Sequence, residues 1–137
     1  MTLTKNFTLE EMTFSPTADN RNIPNIPDEC QVSNLESLCK LILQPIRDRW
    51  RAPIIVTSGF RSETINRLVG GSPNSQHVYG EAADIISYDN RRLFNLITVM
   101  IENGEIDVGQ LIDEKNYRWI HISLPTLRHH NRILHIS

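Results

Sequence analysis

Two hydrophobic periods alternate along this chain. In "SNLESLCKLILQPIRDRW", Leu35, Leu38, Ile42 and Ile46 recur at the spacing of one helix face. Ser33 and Glu36 have the spacing of a capping box, so the helix is expected to start there. Pro45 falls inside the pattern, where a proline costs on the order of 3 kcal/mol, and is expected to bend or end the helix. "NRRLFNLITVMIEN" repeats the period with Leu93, Phe94, Ile97 and Met100 on one side and Gly104 beyond its end. "SETINRLV" predicts a shorter helix closed by Gly70 and Gly71.

The strands follow the other period. "APIIVTSGF" carries a β-branched run and predicts a buried strand; "EAADIIS" predicts another. "GQLIDEKNYRWIHIS" has two alternating runs around a polar turn, the pattern of a β-hairpin. The tail "RHHNRILHIS" reads as loop and then a short edge strand. Residues 1–29 hold Pro16, Pro24 and Pro27, and are expected to make one helical turn near "TLEEM" and otherwise an irregular wrap. Helices and strands mix without βαβ regularity. The expected class is α+β, a single domain over residues 1–137 with a small, mainly antiparallel sheet flanked by helices.

Composition changes this picture little. With 137 residues, 39% hydrophobic and 22% charged, the chain has the balance of a globular domain. A net charge of −2 argues against broad attraction to nucleic acid or an anionic membrane. Cys30 and Cys39 lie outside any CxxC pattern and are expected to be reduced thiols. The first residues lack a basic stretch followed by an apolar run, and no apolar run nears the ~20 residues of a spanning helix. The expectation is a cytoplasmic protein as synthesised, without membrane insertion.

The candidate chemistry lies in "SPNSQHVYGEAADI" and "WIHIS". By strand alternation Asp84 shares a face with Ala82, while Ala83 and Ile85 share the other. The same parity puts Trp119, His121 and Ser123 on one face and turns Ile120 and Ile122 to the core. His77, Asp84 and His121 are thus candidate metal ligands: two imidazoles and one carboxylate are a donor set of catalytic zinc, which keeps one position open. From spacing alone, a structural histidine and aspartate in one loop–strand unit remain the other reading.

"TSGFRSETINRLVGG", "SQHVYGEAADI" and "WIHIS" together resemble the zinc D-alanyl-D-alanine carboxypeptidase and dipeptidase family, whose fold is shared with hedgehog signalling domains. The family pattern S-x-H-x-x-G-x-A-x-D, then W-x-H, falls on Ser75, His77, Gly80, Ala82 and Asp84, then Trp119 and His121. "LQPIRDRW" and the N-terminal "FTLEEMTFSPTA" and "NIP" extend the likeness over nearly the whole chain. The resemblance implies one Zn2+ held by His77, Asp84 and His121, and an Arg61 guanidinium that holds the substrate's scissile carbonyl or carboxylate. It implies a peptidoglycan stem-peptide substrate, cut by carboxypeptidase or endopeptidase action. Ser75 is expected to cap or orient the His77 loop beside the substrate, and Trp119 either lines the cleft or packs the sheet. Gln76 is either a donor behind the ligands or an exposed polar residue. His129, His130 and His135 read as solvent or tail histidines, and Asn66 and "VGGS" as a loop beside the cleft.

The general base departs from the family pattern. Many relatives carry a glutamate three residues before the last zinc histidine; here that position is Arg118. If the hairpin turns through Asn116–Tyr117 or through the four residues 115–118, Glu114 lies opposite Trp119, Ile112 lies opposite His121, and Glu114 shares the metal face. A three-residue loop would offer Asp113 instead. Glu81 falls on the face opposite Asp84 by parity. The departure leaves two other readings, a module that binds cell-wall peptide without cutting it and a phage structural component with this fold. Family relatives occur in phage lysis and virion settings, which would release such a protein to the wall; a monomer is expected.

Overall fold

The computed structural model describes residues 1–137. Strands β1 (Thr2–Thr4) and β2 (Phe7–Thr8) form a small hairpin, followed by helices α1 (Leu9–Thr13) and α2 (Pro16–Arg21). The N-terminal region is therefore more regular than expected. Thr8 and Glu11 cap α1 reciprocally, and Ser15 caps α2 with Pro16 in its first turn. A proline there loses only an N–H that has no helical partner, so Pro16 opens a helix rather than breaking one.

Helix α3 (Glu29–Leu38) starts a turn earlier than Ser33. Its capping box is Asp28 with Gln31: Gln31 N donates to Asp28 Oδ1 at 2.8 Å, and Asp28 N donates to Gln31 Oε1 at 2.8 Å. The earlier start satisfies another turn of backbone donors and brings Gln31 and Asn34 within reach of Val78 and Tyr79. Pro45 neither ends nor breaks the helix. The backbone widens into a π-turn over Cys39–Leu43, Gln44 N donates to the Cys39 carbonyl, and α4 (Gln44–Trp50) continues to Arg51, whose φ of 61° stops it.

Strand β3 (Ile55–Ser58) leads to α5 (Glu63–Leu68), a 3-10 turn (Gln76–Tyr79), β4 (Ala82–Ile86), α6 (Asn90–Glu102), β5 (Gln110–Glu114), β6 (Trp119–Ser123) and β7 (Arg132–Ile136). The five-stranded sheet has the order β3-β4-β6-β5-β7 and is antiparallel except for the β5–β7 pair. β3 is an edge strand, not a buried one: Ile55 is 56% exposed, while Val56 packs on the core. A β-branched run reports fit to a pleated surface, and an edge strand has a neighbour on one side only.

Leu35, Leu38, Ile42, Leu43 and Ile46 pack with Leu93, Ile97 and Met100 of α6 against Ala83, Ile85, Ile120 and Ile122. That leaves the other face of β4 and β6 for chemistry. No helix is long and apolar enough to cross a membrane.

Both cysteines are free; Cys30 is exposed and Cys39 is buried in the core. Burial, reinforced by Glu11 and Glu36, pushes the Cys39 thiol up to about 12. Intact-mass measurement after maleimide treatment at neutral pH is expected to find one label on the native protein, at Cys30, and two after denaturation. Rapid native labelling of both thiols would contradict this packing of α3 and the π-turn.

Candidate metal centre and active site

The site begins with strand register. Asp84 on β4 is the direct partner of His121 on β6; Ala83 pairs with Ile122 and Ile85 with Ile120. The flanking pairs are buried in the core, so a one-residue slip would turn them to the cleft face and drive the carboxylate into the apolar core. His121 Nδ1 lies 3.1 Å from Asp84 Oδ1.

His77 arrives from the 3-10 turn. Ser75 caps that turn, its Oγ accepting from His77 N at 3.2 Å, as expected for a loop-orienting serine. Gly80 closes the turn at φ +74°, and a Cβ there would stand 2.6 Å from the Gln31 carbonyl oxygen. Helix α3 therefore seats directly on the turn, with Gln31 Nε2 donating to Val78 O at 3.0 Å and Asn34 Nδ2 to Tyr79 O at 2.9 Å. His77 Nδ1 lies 2.7 Å from the Gly59 carbonyl. A carbonyl only accepts, so Nδ1 carries a proton, and Nε2 faces Asp84 Oδ1, 3.3 Å away.

One donor atom from each of His77, Asp84 and His121 lies within 4.8 Å of the others. Asp84 is 7% exposed. Burial is the largest single influence on it and opposes ionisation, but hydrogen bonds from His121 and His77, with their charge, outweigh it and hold the carboxyl well below the usual carboxylate range. Two neutral-capable imidazoles, one with its tautomer set by a backbone carbonyl, and one ionised carboxylate match the donor chemistry of a catalytic divalent ion. All three side chains line a cleft of about 1160 Å³.

Arg61 stands behind Asp84. Its Nη2 donates to Asp84 Oδ2 at 3.3 Å, Nε to Ser58 Oγ at 3.0 Å and Nη1 to Asn66 Oδ1 at 3.2 Å. Its backbone N–H donates to the His77 carbonyl at 3.1 Å. A register shift between Val56 and Ser58 pairs Ser58, not Thr57, with Asp84. That bulge turns the serine hydroxyl toward the polar face, where it can receive Arg61. Burial lowers the Arg61 pKa, with Asp84 and Glu114 acting in the opposite direction.

The hairpin turns through residues 115–118, pairing Glu114 with Trp119 and Ile112 with His121. Glu114 consequently lies on the face of His121, and its Oε2 accepts from Trp119 Nε1 at 3.1 Å; both residues line the cleft. Asp113 points to the other face, is 4% exposed and pairs with His135. Arg118 is an exposed turn residue. Glu81 differs from expectation: it precedes β4, outside the strand's alternation, and also lines the cleft. Gln76 is half-buried, donating to Leu124 O at 3.0 Å. His129 lines the cleft, whereas His130 faces Asp107 on the surface.

Ser58, Gly59 and Asn90 had no role in the sequence reading, and Asn66 was read only with "VGGS" as part of a loop beside the cleft. Lys115, Asn116 and Tyr117 all have positive φ, 52°, 56° and 64°. Asn90 Nδ2 holds that strained turn by donating to Tyr117 O at 2.9 Å and Arg118 O at 3.2 Å. A polar residue opening an amphipathic helix signals only a cap locally; its partner is 27 residues away.

The sequence profile described as Peptidase M15 matches residues 5–123, most of the chain and all of Arg61, His77, Asp84, Glu114 and His121. The chain belongs to the peptidase M15 family. Over 33 residues it is also 61% identical to the zinc D-Ala-D-Ala carboxypeptidase of Streptomyces albus G. That match covers 24% of this chain and 13% of the carboxypeptidase. M15 membership and the His-Asp-His donor set together support the expected zinc cofactor.

In this M15 chain Gly59 is a second point of close approach: a Cβ would stand 2.3 Å from the Met12 carbonyl oxygen. Gly59→Ala is expected to cost about 1–3 kcal/mol in urea unfolding and to speed solvent exchange of the His77 Nδ1 proton in NMR spectra. An unchanged midpoint and an unchanged His77 signal would contradict the role given to this glycine.

Proposed function

We propose that this protein is a zinc peptidase that hydrolyses peptide bonds in peptidoglycan stem peptides, by D-Ala-D-Ala carboxypeptidase or endopeptidase action. The observation that carries the reading is the convergence of His77, Asp84 and His121 in a cleft that also holds Arg61 and Glu114. The Streptomyces relative, whose name states zinc and D-Ala-D-Ala, favours this substrate class.

His77 Nε2, His121 Nδ1 and an Asp84 oxygen would hold the ion. Zinc, when bound, acidifies a neighbouring water and polarises a carbonyl oxygen. Glu114 takes a proton from the attacking water and returns it to the departing amine. The Trp119 indole N–H fixes that carboxylate at one oxygen, leaving the other for the proton. Arg61 stabilises the negative charge that develops on the substrate's carbonyl oxygen or binds its terminal carboxylate. Ser75 orients the His77 turn, and Trp119 forms part of the cleft wall against the peptide. Release to the cell wall by phage lysis machinery or within a virion, and action as a monomer, belong to the same proposal.

Incubation of the zinc-loaded protein with a D-Ala-D-Ala-ended stem pentapeptide and with cross-linked muropeptides, followed by mass spectrometry, tests the reading. Release of D-Ala or of the cross-link partner is expected. Glu114→Gln should lower turnover by roughly 10²–10⁴-fold while keeping zinc; His77→Ala and His121→Ala should lose both. A zinc-loaded protein that cuts neither substrate would sink the assignment, and a Glu114→Gln variant at the wild-type rate would remove Glu114 as the base.

A further inference from the structure

We infer that Asn66 is the positioning residue for Arg61, locking the plane of its guanidinium and tying that plane to the cleft wall formed by residues 69–72; this rests on the reading of Arg61 as the group that holds the substrate. Asn66 is 2% exposed, a polar side chain buried near the end of the short helix α5. Such a group is costly to bury unless both halves of its amide are satisfied. Here they are satisfied by two different parts of the site. Oδ1 accepts from Arg61 Nη1 at 3.2 Å, and Nδ2 donates to the Ser72 carbonyl at 2.8 Å.

The donor arithmetic of Arg61 shows what this does. A guanidinium has five N–H groups on three nitrogens. Each nitrogen has one protein acceptor: Ser58 for Nε, Asn66 for Nη1 and Asp84 for Nη2. Three anchors fix the plane, and Nη1 and Nη2 each retain one N–H for a two-point grip on a carbonyl or carboxylate oxygen pair. Without Asn66 the anchors lie along Nε and Nη2 alone, and the Nη1 edge is free to tilt.

The loop is shaped around the contact. A Cβ on Gly71 would stand 2.0 Å from Asn66 Oδ1 and 3.1 Å from Arg61 Nη1. Gly71 N donates to the Asn66 carbonyl at 2.8 Å. Val69, Gly70, Gly71 and Ser72 all line the cleft, so one buried amide joins a cleft wall to the substrate-holding cation. The absence of a side chain at Gly71 makes room for this contact.

A double-mutant cycle on the zinc-loaded protein, read as kcat/KM for a D-Ala-D-Ala-ended stem pentapeptide, tests the inference. Asn66→Ala is expected to lower kcat/KM by ~10–100-fold, the scale of a small misplacement of a substrate-holding group, with zinc content unchanged. Asn66→Asp keeps an acceptor for Nη1 but loses the donor to Ser72, and is expected to retain most of the activity. In an Arg61→Ala background, Asn66→Ala is expected to add no further loss. Gly71→Ala, which removes no polar group, should reproduce the Asn66→Ala loss. Side-chain ¹⁵N spectra give a substrate-free readout: restricted Nη rotation of Arg61 in the wild type, averaged rotation in Asn66→Ala. Equal losses in Asn66→Ala and Asn66→Asp, or losses that multiply in the double variant, would reduce Asn66 to a loop fastener. If Arg61→Ala slows the reaction and Asn66→Ala does not, the inference alone fails. If Arg61→Ala leaves the rate unchanged, the substrate-holding role of Arg61 fails with it.

Discussion

The pairing of Asp84 with His121 is the constraint on which the site depends. Two adjacent strands place a carboxylate and an imidazole opposite each other only in one register. The pairs Ala83–Ile122 and Ile85–Ile120 set that register by being buried under α3, α4 and α6. The same alternation that fills the core with isoleucine therefore turns one acid and one histidine to the other face. Apolar burial places the polar site.

The third donor needs a separate device, because a turn has no register. His77 is fixed by a cap from Ser75, a left-handed Gly80 pressed against Gln31, and the Gly59 carbonyl on Nδ1. Around these donors, one buried carboxylate serves two imidazoles and one guanidinium. The two imidazoles hold the Asp84 carboxyl well below the usual carboxylate range despite its burial. In the hairpin between β5 and β6, a turn with three left-handed residues, held by Asn90, accompanies the pairing that brings Glu114 onto the same face.

Much of this was legible in the sequence where period and burial coincide. The alternation in "EAADI" and "WIHIS" placed Asp84 and His121 on a common polar face, and the apolar spacing of α6 located its packed side. The hairpin options left either Glu114 or Asp113 to share the face of His121, and the turn that puts Glu114 there is held by Asn90, distant in sequence. The helix start was misplaced because Asp28–Gln31 and Ser33–Glu36 have the same box spacing, and only the contacts of Gln31 and Asn34 with residues 78–79 favour the earlier one. The bulge before Ser58, the cleft position of Glu81 and the Asn66–Arg61 contact were illegible for a related reason. Each depends on a neighbour brought close by the fold, with no periodic signal of its own.

The most direct test of the central claim is zinc K-edge X-ray absorption on the purified, zinc-loaded protein, with metal content measured on the same sample. The account predicts one zinc per chain, with two imidazole nitrogens and carboxylate oxygen at about 2.0–2.2 Å; His121→Ala should remove one imidazole shell or the metal altogether. A protein that takes up no zinc, or a bound zinc whose spectrum has no imidazole and does not change in His77→Ala or His121→Ala, would contradict it.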